Sequence, residues 1–211
     1  MLALSKTAIN QEVFFILILI SFFLITILKV YYWKYTKLLF KGIIAQRYAN
    51  QFLREENALT ERVDFITYCL MIINFSLIIN VLCVKIEFGI WGLLLLVFLF
   101  YFLKIVLFKW ISLIFMIRTL GKLAIFFSFL FDRVLSIIIF PIVVLLYFFA
   151  YDITEILVFF VSLLTALIFV IKIYWLWKIS TKSFGLSHFY IFLYLCTLEI
   201  FPILLVFGEL Y

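Results

Sequence analysis

The stretch Ile90–Ala150 reads IWGLLLLVFLFYFLKIVLFKWISLIFMIRTLGKLAIFFSFLFDRVLSIIIFPIVVLLYFFA. Its first part, Ile90–Ile117, is apolar apart from Lys104, Lys109 and an occasional hydroxyl. Its last part, Leu123–Ala150, carries charge only at Asp132 and Arg133. Each run has 28 residues, about 42 Å as a helix at about 1.5 Å per residue. A hydrocarbon core is only about 30 Å thick. The runs therefore predict two membrane-spanning helices with length to spare, separated by the polar break RTLGK (Arg118–Lys122). Either the surplus protrudes as a helical hairpin, or residues 110–131 form a separate interfacial or re-entrant element. The hairpin is preferred, because Gly121 suits a turn and nothing else breaks the runs.

The rest of the chain has the same character. Of 211 residues, 69% are hydrophobic, 22% aromatic and 13% charged, with a mean hydropathy of +1.35. Soluble domains average about 45–50% apolar and about 25% charged. So few charges cannot cover a soluble globule of this size, which excludes a cytosolic enzyme, a secreted disulfide scaffold and a disordered chain. The expected fold class is all-α: a polytopic membrane protein in which residues 1–211 form a single transmembrane domain. Six spans are expected, at about 13–33, 63–84, 88–108, 134–151, 156–177 and 189–207. The first apolar stretch reads as a retained helix rather than a cleaved leader, because no small-residue cleavage site follows it. Cys69, Cys83 and Cys196 all lie in apolar runs and form no CxxC, so they read as small buried residues.

Charge placement sets the topology. With the segment 34–62 inside and the helices alternating from there, all of the 17 basic residues but Lys6 and Lys85 fall on the inner side, as the positive-inside rule requires. The expected address is a bacterial inner membrane, multi-pass, with both termini periplasmic. Within 34–62, Phe40, Ile44, Tyr48 and Phe52 recur every four residues, which predicts a cytoplasmic amphipathic helix. It either lies on the membrane surface or packs against the protruding hairpin. Arg47, Asn50, Arg54 and Glu55 are its candidate interaction residues.

Ionisable groups inside apolar runs are candidate functional sites. Glu199 lies near the middle of the sixth span, three residues before Pro202, which frees the Leu198 carbonyl. Such a carboxyl group could bind a cation, relay a proton or lock helices together. His188, eleven residues earlier on the same face, reads as interfacial. Lys104 either snorkels to the inner headgroups or lies deeper and meets Glu199 or Asp132. Asn74 and Asn80 read as hydrogen-bonding glue between helices. Asp132 and Arg133 read as a span boundary. No HExxH, GxSxG, phosphate loop or channel filter is present, and a single His excludes a multi-histidine metal site. No metal, cofactor or catalytic residue is expected.

Three stretches carry a resemblance: RYANQFLREEN (Arg47–Asn57), YFLK (Tyr101–Lys104) and HFYIFLYLCTLEIFP (His188–Pro202). Together they resemble a family of small inner-membrane proteins of Bacteroidota known as a domain of unknown function. The resemblance implies a lineage and an inner-membrane address, and no mechanism. It directs attention to Arg47, Asn50 and Glu55, and to Tyr194, Glu199 and Pro202. The leading functional expectation is a non-enzymatic subunit of a cell-envelope complex serving secretion, glycan export or membrane biogenesis. The alternative is a small transporter, proton-coupled or carrying a lipid-linked substrate, that uses Glu199. The expected partners are the lipid bilayer and other membrane proteins or further copies of the chain, with no nucleic acid.

Overall fold

The computed structural model describes residues 2–55, 57–82, 89–114, 118–148 and 154–179. Among the described residues there are seven helices and no strand: α1 (Leu2–Tyr31), α2 (Trp33–Ile44), α3 (Gln46–Arg54), α4 (Ala58–Leu82), α5 (Ile90–Ile114), α6 (Arg118–Phe148) and α7 (Thr154–Ile179). Four contain stretches long and apolar enough to cross a membrane: Glu12–Tyr31, Ala58–Asn80, Ile90–Trp110 and Ile125–Phe148. A shorter apolar stretch, Phe159–Trp175, lies in α7. The sixth expected span, 189–207, lies outside the described residues.

These helices carry the marks of a lipid environment. Large apolar side chains such as Phe22, Phe23, Phe65 and Phe159 are more exposed than buried, which water would not tolerate over so wide a surface. On α5, exposed Trp91 and Trp110 bracket the span. Nineteen residues separate them, about 28 Å along a helix, close to the hydrocarbon thickness. Indole rings favour that boundary at both ends.

Helix α6 is the hub. It packs against α4, α5 and α7 along its length and against α2 near its start. Both apolar runs are helical through their described residues, Ile90–Ile114 in α5 and Leu123–Phe148 in α6, so residues 110–114 and 118–131 belong to these two helices rather than to a separate element. Gly121 does not make the turn: it lies inside α6, which begins at Arg118. A single glycine costs a helix only about 1 kcal/mol, too little to end a helix of 31 residues held by packing. Pro141 also sits inside α6. It leaves the Ile137 carbonyl without its usual donor, yet the helix runs through.

The segment 34–62 departs from a single amphipathic helix. Ala45 is extended (φ −141°, ψ 124°) and separates α2 from α3. One extended residue breaks the four-residue stripe: Ile44 turns outward at 79% exposure, while Phe52 is buried at 2%. The two short helices fold against each other and cap one end of the bundle. Leu38, Leu39, Ala49 and Phe52 join Phe126, Phe127 and Leu130 of α6 in one apolar cluster, and Phe52 stacks on Phe126 at 5.5 Å. Gly42 permits this closeness. A Cβ there would lie 3.3 Å from the Leu130 side chain and 3.4 Å from Ala49, so even alanine would press on Leu130 and a larger side chain would have no room between them. The return into α4 is fixed by Thr60, whose hydroxyl bonds the Asn57 and Glu55 carbonyls at 2.7 and 3.1 Å.

Candidate functional site

Halfway along α6, the neighbouring residues Asp132 and Arg133 point to different sides, because successive helical positions are about 100° apart. Asp132 faces α5 and α7. Its carboxylate accepts two hydrogen bonds from Lys172 Nζ, at 2.8 and 3.1 Å, and lies 3.8 Å from Lys104 Nζ. Both lysines are almost fully buried, at 4% exposure for Lys104 and 3% for Lys172. Lys104 also lies over the Phe129 ring, 5.4 Å from its centre. Arg133 faces α4 and donates to Asp64 Oδ1. Its guanidinium sits 4.6 Å from the Tyr68 ring centre and 5.4 Å from that of Phe126, a sandwich that suits a planar, weakly hydrated cation.

Five ionisable side chains on four helices thus meet at one level. Asp64 is six residues into its span from Ala58, Asp132 is seven from Ile125, and Lys104 is six from Trp110. At about 1.5 Å per residue each lies about 9–10 Å in from the end of its apolar stretch. The layer is covered on one side by the α2–α3 cap and on the other by a second apolar cluster, built from Phe14, Leu17, Leu77, Leu135, Ile139 and Phe140. A polar strand of contacts leads from it toward the second cluster. Ser136 donates to the Arg133 carbonyl at 2.8 Å, and Asn74 Nδ2 donates to the Ser136 carbonyl at 2.9 Å. Arg133 Nε and Asn74 Oδ1 are buried along this line of contacts without a hydrogen-bond partner among the described residues, as is Ser21 Oγ on α1.

The sequence expectations meet this geometry unevenly. Lys104 does not snorkel; it belongs to the buried layer and meets Asp132, the deeper of its two expected positions. Asp132 and Arg133 do not mark a boundary, because both lie inside α6 and Arg133 is only 1% exposed. Asn74 makes the expected bond between helices. Asp64 and Lys172 were missed as site residues, although each is a charge within an apolar helix. Glu199, His188 and Tyr194 lie outside the described residues. The cap residues stay at the surface: Arg47 donates to the Tyr48 hydroxyl at 2.8 Å, Glu55 accepts from Gln51 at 3.0 Å and pairs with Lys34 at 3.7 Å, Arg54 is exposed, and Asn50 is half-buried. These side-chain partners of Arg47 and Glu55 all lie within α2 and α3, away from the ionic layer.

No curated protein and no solved structure matches the chain. Residues 14–210 match the family described as a domain of unknown function, DUF4271. That match spans every element of the ionic layer and nearly the whole sequence, and the chain belongs to the DUF4271 family.

Proposed function

We propose that the protein is a small proton-coupled membrane transporter whose coupling centre is the ionic layer around Asp132. One observation carries the reading: a carboxylate held between two buried lysines from different helices, inside the hydrocarbon region. Insertion of each such charge costs about 2.5–3.5 kcal/mol, and well-packed apolar residues hold a bundle together equally well or better. Stability therefore gives little reason to keep five of them. Protonation offers one. With Asp132 ionised, Lys104 and Lys172 are drawn to α6 and the bundle is closed. An anionic substrate group that reaches Lys104 and Lys172 takes over their charge and releases Asp132 from them, and a proton taken up on the freed carboxyl keeps the layer from gaining buried charge. Movement of the substrate is thereby coupled to that proton.

Proteoliposomes holding the full chain and an internal pH dye test this. Under an imposed inside-negative potential, one class among a panel of organic anions, sugars and amino acids is expected to raise their internal acidification above that of protein-free liposomes. The double variant Asp132→Asn, Lys104→Gln removes one charge of each sign, keeps side-chain size and should insert and purify normally. It is expected to fall to the protein-free rate. Parental flux in that variant, or no flux in the parent protein, overturns the reading.

A second reading, a non-enzymatic subunit of a cell-envelope complex, is favoured by the cap. Arg47, Gln51 and Arg54 are exposed along α3, and this polar face has no part in the ionic layer. Replacing all three with Ser should then abolish co-purification of a defined partner from native membranes and leave proton flux intact. The address proposed for either role is a bacterial inner membrane with the cap cytoplasmic and both termini periplasmic. Its support is the concentration of Lys and Arg at that end.

A further inference from the structure

Where α1 ends and α4 begins, an open groove of about 560 Å³ is lined by Ile27, Tyr32, Ala58, Glu61, Arg62, Phe65 and Ile66. Its chemistry changes with depth. Ala58, Glu61 and Arg62 occupy the first turns of α4, at the boundary where both spans end, and Tyr32 lies level with them just beyond Tyr31. Phe65, Ile66 and Ile27 lie about one turn deeper, roughly 5–6 Å, and Phe65 is 70% exposed. The polar rim is therefore at headgroup depth and the apolar wall at acyl-chain depth. Glu61 and Arg62 are both exposed, and neither side chain has an ion-pair or hydrogen-bond partner among the described residues. They do not pair with each other either, because adjacent helical positions diverge.

We infer that this groove holds one phospholipid with a zwitterionic headgroup bearing a primary ammonium, of the phosphatidylethanolamine type. Arg62 presents a planar donor fork that fits the phosphate. Glu61, one position away, presents acceptors for the ammonium. The two protein charges match the two headgroup charges in sign and in number. An anionic lipid would bring its phosphate to Arg62 but leave Glu61 facing a like charge. A choline headgroup would satisfy the charge of Glu61 but donate no hydrogen bond to it. One acyl chain lies along Phe65, Ile66 and Ile27, and covers apolar surface that α1 and α4 leave open between them.

The test uses the full chain, stripped of lipid in detergent, with each of three lipids of identical acyl chains added back: phosphatidylethanolamine, phosphatidylglycerol and phosphatidylcholine. Native mass spectrometry counts the bound lipid, and thermal unfolding follows the protein. The ethanolamine lipid is expected to bind roughly two- to fivefold more tightly than the other two, the range open to an exposed charge pair. Glu61→Gln should remove the preference over phosphatidylglycerol, and Arg62→Gln should weaken all three. Both residues are exposed, so the fold should stand, and a parental melting temperature without lipid checks this. Equal binding of the three lipids by the parent protein, or an unchanged preference in Glu61→Gln, overturns the assignment.

Discussion

Asp64→Leu will destabilise the detergent-solubilised protein by about 3–5 kcal/mol, and Arg133→Met will cost less, about 1–3 kcal/mol. The asymmetry follows from burial. Removing Asp64 strands a guanidinium that is 1% exposed, whereas removing Arg133 leaves a carboxylate whose side chain is 34% exposed and can reach water or headgroups. Methionine also keeps most of the apolar contact with Tyr68 and Phe126. The double variant should regain most of the loss of Asp64→Leu, because a matched apolar pair can replace a buried ion pair at little cost. Chemical unfolding in mixed micelles, followed by tryptophan fluorescence, orders the three proteins. A double variant no better than Asp64→Leu would mean that the pair contributes shape rather than charge.

Asp132→Ala is expected to be as severe, again about 3–5 kcal/mol, but local in its effect. Two buried ammonium groups lose the carboxylate they share. Among the described residues α7 packs chiefly on α6, so it depends on the Asp132–Lys172 contact more than its neighbours do. Hydrogen exchange should rise throughout α7 and change little in α1, which is anchored to α4 through the other apolar cluster. The pairing with Lys104→Gln in the transport variant should suppress much of this loosening, because one charge of each sign is then gone. Uniform exchange across all helices would place the damage in the fold as a whole rather than in the layer.

Much of this architecture is legible in the chain. Length and apolarity alone locate α1, α4, α5 and α6, since a spanning helix is a local property read one segment at a time. The ionic layer is not local. Asp64, Lys104, Asp132, Arg133 and Lys172 come together only when four helices pack, and no single helix holds more than two of them. Counting loops also misleads here. Charge near a span end is assigned to the boundary, so Asp132 and Arg133 push the expected span to Val134, whereas the apolar span runs from Ile125. The cap fails for another reason. A stripe every four residues predicts one helix, but Leu38, Leu39, Ala49 and Phe52 can reach the same patch of α6 only if the chain turns between them, and Ala45 supplies the turn.

The adjacency of Asp132 and Arg133 has a consequence for biogenesis. Chain order delivers Asp64 on α4 and Lys104 on α5 to the membrane before either has its partner in α6. One helix then brings both missing charges in consecutive positions, so a single insertion event neutralises two waiting groups. Lys172 arrives last, to a carboxylate already in place. The α4–α5 pair therefore enters lipid at a cost of about 2.5–3.5 kcal/mol for each such charge that α6 offsets when it follows, and the short stretch between α5 and α6 keeps that interval brief.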